Sequence, residues 1–310
     1  MKAIRFHDYG GPEVMQYEEM PTPVPAPDEV LVRVHAMGVN PVDWKIREGH
    51  VRKRIQIPLP ATPGGDISGV IERLGSGVTG YSTGQAVFGM IGLLGAYAEY
   101  VAVKPQLLAA KPTSIDHVHA ASVPLVALTA WQALFDVAAL KAGQSVLVHA
   151  AAGGVGSFAV QLARNAGADV TGTCSAGNID YVRGLGATQV IDYTRDSFAP
   201  HAGRYDVVVD TMGGDVAVKS LELLKAGGIL AGVAPPSEAL VAQATAAGKR
   251  AVGFQVKPNG AQLAQIGALI DAGKIRTTVA AAFPLSQAGR AHEQSKLGHT
   301  RGKIVLTSGG

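Results

Sequence analysis

The stretch Ser145-Val-Leu-Val-His-Ala-Ala-Ala-Gly-Gly-Val-Gly-Ser157 holds the most specific chemistry in the chain. Its apolar run Val146–Val148 has the length of a strand. The chain then turns through Ala150 to Gly154 and continues as Val155 to Arg164, with apolar spacing that suits a helix packed on a sheet. Strand, glycine turn and helix form the context in which backbone N–H groups hold a pyrophosphate. Gly153 lets the main chain approach the phosphates, and Gly156 lets the helix lie close to the strand. Free N–H groups over Gly153, Gly154, Val155 and Gly156, with the positive end of the helix, then meet the anion. Ala151 stands where such turns usually begin with glycine, so the pattern reads A-x-G-x-x-G. The expected chemistry is binding of a dinucleotide cofactor.

A second signal concerns which dinucleotide. Folds that prefer NAD place an Asp or Glu about 20 residues past the glycine turn, where it holds the ribose hydroxyls. Here the second strand ends at Thr173 and is followed by Cys174, Ser175, Ala176, Gly177 and Asn178. No carboxylate stands there to repel a 2′-phosphate. Ser175 and Asn178 can donate to it, and Tyr193, after the third strand, can reach the same place. NADPH is therefore expected ahead of NADH.

Other chemistries are poorly supplied. The single cysteine, Cys174, rules out an intramolecular disulfide and a Cys-rich zinc site, and it reads as a small buried thiol. The nine histidines form no H-x-x-x-H or H-E-x-x-H, so no catalytic metal is expected. His149, at a strand end, reads as structural, and His117 and His119 fall in a helix-entry loop. Tyr100 and Lys104 have the spacing Y-x-x-x-K. On an alternating strand they would stand ~13 Å apart, too far for a proton relay.

The elements that must position these residues follow from composition and periodicity. The chain has 310 residues, 47% hydrophobic and 16% charged, enough for two well-buried domains. A net charge of +3 gives no reason to expect a nucleic-acid or membrane partner. The densest basic cluster, Val51-Arg52-Lys53-Arg54, reads as a solvated loop. Met1 to Arg5 reads as a charged strand and no long uncharged apolar run follows, so the cytoplasm is the expected location. Residues 1–123 read as all-β, with Glu29 to Ala36 and Asp66 to Arg73 alternating at period two. Ala120 to Leu140 is helical in composition, with a break at Pro124. Over 124–272 strands and helices alternate, which implies a parallel sheet covered by helices on both faces. Residues 273–310 return to strand, helix and strand and are expected to rejoin the first domain. The fold class is α/β.

Gly38-Val-Asn-Pro-Val-Asp-Trp-Lys45, Pro63-Gly-Gly-Asp-Ile-Ser-Gly-Val70, Leu128-Thr-Ala-Trp131, the glycine turn and Arg301-Gly-Lys-Ile-Val-Leu306 together carry a family resemblance. The chain resembles the zinc-independent medium-chain dehydrogenase/reductases of the quinone oxidoreductase type. That implies a GroES-like β-barrel catalytic domain and a Rossmann NADP-binding domain. Zinc-dependent relatives carry Cys where this chain has Asn40, and Gly-His-Glu where it has Gly64-Gly65-Asp66. The resemblance implies that Asn40 lines the nicotinamide pocket and that Thr129 contacts the nicotinamide. It also places Thr211, Gly232 and Val233 at strand ends along the cofactor, and Phe254 and Val256 near the nicotinamide ring. Lys303 resembles a basic residue that faces the cofactor. Family members that bind NADPH often carry Lys or Arg where Asn178 stands.

Without a metal or a proton relay, nothing here stabilises the alkoxide formed from a plain ketone. A quinone or conjugated enone spreads that charge into a hydroquinone anion or enolate, and then orientation and a few donors suffice. The expected reaction is hydride transfer from NADPH to a small quinone or enone, with Asn40 and Lys45 as candidate donors to its oxygen and solvent supplying the proton. Asp43 can orient Lys45 or cap the turn, and Tyr97 reads as a core aromatic. The alternatives are a non-catalytic NADPH-binding protein, crystallin-like or RNA-binding, and a secondary-alcohol dehydrogenase. The resemblance also implies a homodimer, with Arg250–Val256 as the candidate edge.

Overall fold

The computed structural model describes residues 1–53 and 56–309, and the chain divides into two units. Unit 1 is Met1–Leu125 with Pro258–Gly310; unit 2 is Val126–Lys257. Arg54, the end of the basic cluster, lies outside the described residues.

Unit 1 begins with Lys2–Phe6 (β1), which pairs antiparallel with Met15–Glu19 (β2). Next come Val30–Val39 (β3), helix Pro41–Arg47 (α1), Asp66–Leu74 (β4), Ala86–Met90 (β5), Tyr100–Val103 (β6), Leu108–Ala110 (β7) and helix His117–Ala121 (α2). Lys45 belongs to α1, because Pro41 starts a helix directly after β3. Ala96 to Glu99 precede β6 and meet the sheet through isolated bonds such as Val34 N–H to Glu99 O, 2.8 Å. His117 and His119 stand inside α2, which Asp116 caps by accepting the His119 N–H at 2.8 Å.

Helix Pro124–Trp131 (α3) runs into a π-helical stretch, Gln132–Val137. Unit 2 then alternates Ser145–Val148 (β8), Gly154–Asn165 (α4), Asp169–Cys174 (β9), Ile179–Gly184 (α5), Gln189–Asp192 (β10), Tyr205–Asp210 (β11), Gly214–Leu223 (α6), Leu224–Gly232 (β12), Glu238–Ala246 (α7) and Arg250–Gly253 (β13). The parallel sheet order is β10-β9-β8-β11-β12-β13. That order reverses beside β8, the switch point at which such sheets bind nucleotides. Strands buried on both faces explain the near-continuous apolar runs: Val146, Leu147, Val148, Val207, Val208 and Val209 are all buried. The edge strand stops at Gly253, short of the expected Val256, and its last rung is the Phe254 N–H to Gly232 O bond at 3.2 Å.

The chain returns to unit 1 with Gly260–Asp271 (α8), Val279–Pro284 (β14), Ala288–Lys296 (α9) and Lys303–Thr307 (β15). The expected boundary at 272 is corrected to 257. A Cβ on Gly260 would lie 2.2 Å from Leu108 O, so α8 presses on β7. Asp271, at the end of α8, accepts the N–H groups of Thr113 and Ser114 at 3.2 and 2.9 Å. The seven-stranded sheet runs β14-β15-β3-β4-β5-β7, with β6 also paired to β3. β3 is its spine, and a core of Val30, Val32, Val34, Ile67, Ile71, Val87 and Ile304 covers it. Among the described residues no helix is long and apolar enough to cross a membrane.

Candidate active site

In unit 2 the chain leaves β8 through Ala150, which holds a left-handed φ of 48° without being glycine. His149 supports this turn. The Ser220 hydroxyl donates to Val216 O at 2.7 Å, so His149 Nε2–H donates to Ser220 Oγ at 2.8 Å. Nδ1 then accepts from Thr173 Oγ1 at 3.2 Å, and Thr173 Oγ1 accepts the Ala150 N–H at 3.3 Å. Burial holds His149 neutral by lowering its pKa.

The two key glycines have different reasons. A Cβ on Gly156 would lie 2.2 Å from Ala150 O, so packing alone demands glycine there. A Cβ on Gly153 would lie 3.3 Å from Ala150 O, a tight contact but the one protein atom within 4 Å, so the rest of that position faces away from the packed chain. Gly153 caps α4 with no side-chain hydrogen bond. Gly154, Val155 and Gly156 begin that helix, so their N–H groups have no carbonyl within it. An open glycine followed by three such donors fits a pyrophosphate. Ala151 in place of the usual glycine is accommodated across the sheet: a Cβ on Gly172 would lie 2.8 Å from Ala151 Cβ, and Gly172 has none.

The residues expected at the 2′-phosphate converge. Asp192 pairs with Cys174 in the β9–β10 register, which brings Tyr193 alongside Ser175. Tyr193 is 54% exposed, and Asn178 Nδ2 donates to Ser175 Oγ at 3.2 Å. Cys174 itself is buried, which pushes its thiol up to about 11. Thr211 Oγ1 donates to His149 O at 3.4 Å, and Val233 N–H donates to Asp210 O at 2.9 Å. Gly232 is buried beside them at the end of β12. Thr129 is buried in α3. Phe254 and Val256 are half-buried, in a segment that Gln132 clamps by bonding both backbone groups of Lys257, at 2.8 and 2.9 Å.

Unit 1 holds a buried polar centre built around Asn40, where β3 passes into α1. The Asn40 N–H donates to Asp43 Oδ2 at 2.8 Å, so Asp43 caps the turn rather than orienting Lys45. Asn40 Nδ2 donates to Asp66 Oδ2 at 2.9 Å, and Asn40 Oδ1 accepts from Lys303 Nζ at 2.7 Å. The Lys303 ammonium also donates to Val39 O. Gly38 makes room, since a Cβ there would lie 2.9 Å from Asp66 Cβ. Lys303, expected to face the cofactor, is thus turned inward and only 5% exposed. Lys45 is exposed, its ammonium 5.5 Å from the Trp44 ring centre.

Behind Asn40 runs a directed chain that the sequence gives no sign of. Arg47 can only donate, so His292 Nδ1 accepts from it at 3.3 Å. His292 Nε2–H then donates to Tyr97 Oη at 3.2 Å, and the Tyr97 hydroxyl donates to Asp43 Oδ2 at 2.9 Å. Burial drives His292 down to about 3, Asp43 up to about 7 and Asp66 up to about 6. The two carboxylates are held back from higher values by the Lys303 charge and by the N–H and O–H groups they accept.

Two family models match the chain: an alcohol dehydrogenase GroES-like domain over residues 26–113 and a zinc-binding dehydrogenase over residues 185–306. The residues do not fit a zinc ion. Among those described, no group of three or more His, Cys, Asp or Glu could hold a metal, and a buried ammonium already sits on Asn40. The chain is 36% identical to the NADPH-dependent alkenal/one oxidoreductase of Arabidopsis thaliana, over 99% of this chain and 79% of that protein. It is 34% identical to the chloroplast envelope quinone oxidoreductase homolog of the same plant, over 99% and 98%. The quinone oxidoreductase structure from Coxiella burnetii superposes with a TM-score of 0.91 at 36% identity, over 99% of both chains. The glycine turn, the switch-point sheet order, the GroES-like unit and these likenesses agree: the chain belongs to the medium-chain dehydrogenase/reductases, in their quinone oxidoreductase branch.

Proposed function

We propose that this protein is an NADPH-dependent oxidoreductase that reduces a small quinone or α,β-unsaturated carbonyl without zinc. The observation that carries the reading is the glycine turn, where Gly154, Val155 and Gly156 begin α4 with N–H groups that have no carbonyl within the helix. Relatives named for quinone and for alkenal/one reduction support it. NADPH, when bound, supplies hydride. The residues that would hold it are Gly153, Gly154, Val155 and Gly156 at the pyrophosphate and Ser175, Asn178 and Tyr193 at the 2′-phosphate. Thr129, Thr211, Gly232, Val233, Phe254 and Val256 would lie along the nicotinamide half.

For an enone, hydride adds to the β-carbon, the C=C electron pair moves toward the carbonyl, and the enolate takes its proton from solvent. Lys45 is the exposed candidate donor to the oxygen that gains charge, its ammonium 5.5 Å from the Trp44 ring centre; Asn40, the other candidate, is fully buried between Lys303 and Asp66. A plain ketone would need stabilisation of a localised alkoxide, which a lone solvent-exposed donor supplies poorly.

The test mixes purified protein and NADPH with a 1,2-quinone, a 1,4-quinone, an alkenal, a cyclic enone and a saturated aldehyde. Turnover of a conjugated acceptor is expected. Turnover of the aldehyde alone would overturn the reading, and so would stoichiometric zinc by elemental analysis. Tight NADPH binding with no turnover would favour a non-catalytic binding protein. Ser175→Asp should weaken NADPH relative to NADH by about tenfold or more, since a carboxylate there repels the 2′-phosphate.

A further inference from the structure

Helix α2 lies against β3 and β4 within unit 1. A Cβ on Gly38 would lie 2.5 Å from Ala121 O, so the helix meets β3 without a gap. Its other fastening is a pair of imidazoles. His117, the first residue of α2, stacks on His35 of β3, with ring centres 4.5 Å apart and planes 17° from parallel. Ser68 of β4 holds the same ring, its Oγ 2.8 Å from His117 Nδ1. Just past the helix, the Leu125 N–H donates to Asp66 Oδ1 at 2.9 Å.

Neutral rings can stack in this way, whereas charged ones meet two penalties. A charged imidazole donates from both nitrogens. His35 Nε2 is buried and has no partner among the described residues, so a proton there would find no acceptor. Two charges at the stacking distance would also repel in a half-buried place. The neighbouring charges mostly add to that cost. Arg33 of β3 and Lys111 both oppose a charge on His117. Asp116 favours one, but it already accepts the N–H and the ring of His119, each at 2.8 Å. On β4, Glu72 is paired with Arg33 at 3.4 Å, Asp66 is taken by Asn40 and Leu125, and Arg73 stands at the far end, opposite Leu31. Lys303 of β15 is bonded to Asn40, while β5 and β14 carry no titratable side chain. Burial first, and then these cations, lower both histidines, His117 to about 4.

We propose that the His35–His117 stack is an acid-sensitive latch: neutral, it fastens α2 to β3; charged, it lets α2 and the turn to Leu125 lift while the sheet holds. An unfolded histidine takes its proton near 6.5, and His117 in the fold resists until about 4. The folded chain binds fewer protons between those values. The stability this contact gives is therefore whole above about 6.5 and drains as the pH falls toward 4. Two rings so close titrate in two linked steps that belong to the pair. His149 and His292 also resist protonation, so the test must read α2 itself.

Hydrogen exchange of the intact protein, read by mass spectrometry and corrected for intrinsic rates, does so. From about pH 7 to about pH 4.5, protection of residues 116–123 should fall by about tenfold or more while β3 and β4 stay protected. His35→Phe keeps a ring for stacking, and His117→Gln keeps a partner for Ser68. Each should shrink the fall, and the double variant should hold protection within about threefold. A segment equally protected at both pH values in wild type would overturn the latch. So would opening of β3 and β4 in step with α2, which is global acid unfolding, or the full fall in a folded double variant. If the double variant does not fold, NMR titration of the wild-type rings decides. Linked steps below about 6 support the latch, and two independent rings near 6.5 overturn it.

Discussion

Asp43 gathers two donors on one carboxylate oxygen, the Asn40 N–H and the Tyr97 hydroxyl, while its other oxygen is buried and accepts nothing among the described residues. That second oxygen is where the proton of the neutral acid can sit, and burial raises the carboxyl from 3.8 to about 7. The folded protein therefore binds a proton between those values that the unfolded chain has released. Stability from this group is fully present below about 4 and is lost as pH rises through about 7. Asp43→Asn keeps an acceptor for both donors and removes the titration. Relative to wild type, the variant should gain stability between pH 5 and pH 8, by about 1–4 kcal/mol. Melting curves of the two proteins across that range check it, and a constant difference would show that Asp43 does not titrate there. None of this was legible in sequence, where Asp43 and Tyr97 carried only generic readings. Asn40 and Lys303 are 263 residues apart, and Tyr97 and His292 are 195 apart. Sheet register brings the first pair together and the packing of α9 the second, and no local pattern encodes either. Lys303 was visible through family likeness, but its inward direction depends on where β15 pairs with β3.

The glycine turn was legible for the opposite reason. Its strand, turn and helix lie within one short segment, and each small residue answers a contact inside that segment or on the next strand. The expectation treated Gly153 and Gly156 as parts of one motif, whereas the structure separates their causes. Gly156→Ala forces a Cβ to 2.2 Å from Ala150 O and should destabilise the fold by about 1–3 kcal/mol. Gly153→Ala sets a Cβ 3.3 Å from Ala150 O, which a shift of a few tenths of an ångström relieves, and should lower the melting temperature far less than Gly156→Ala while weakening NADPH by about tenfold or more. Thermal melts beside NADPH titrations distinguish the two. Equal loss of stability in both variants would mean that Gly153 serves packing rather than a ligand. The element read wrongly was α8. Its apolar period is visible in sequence, but a helix following a βα series looks like one more member of that series. The contacts that assign it to unit 1, Gly260 against Leu108 O and Asp271 on the 113–114 backbone, are made with residues about 150 positions earlier.

At the scale of the molecule, the parallel sheet of unit 2 ends in two unlike edges. Beside β10 stand Arg183 and Arg195, both exposed, and a two-fold axis there would bring like charges together. β13 instead shows Val252, 36% exposed, and the neighbouring helix α7 shows Val241, 39% exposed. A two-fold axis beside β13 would pair the strand antiparallel with its copy and lay the two Val252 side chains against each other. A strand as short as Arg250–Gly253 supplies few hydrogen bonds, so a stable dimer also needs apolar area from α7 to approach about 1,000 Å² in all. We therefore expect a homodimer through β13. Val252→Asp places two carboxylates across that axis and should shift the protein to monomer at micromolar concentration, as read by light scattering after gel filtration. NADPH affinity should be retained, because Val252 lies outside every group assigned to the cofactor. An unchanged mass for Val252→Asp, with wild type dimeric, would move the interface away from this edge. A monomeric wild type would remove the dimer altogether, leaving β13 as an edge protected only by its shortness and by Arg250.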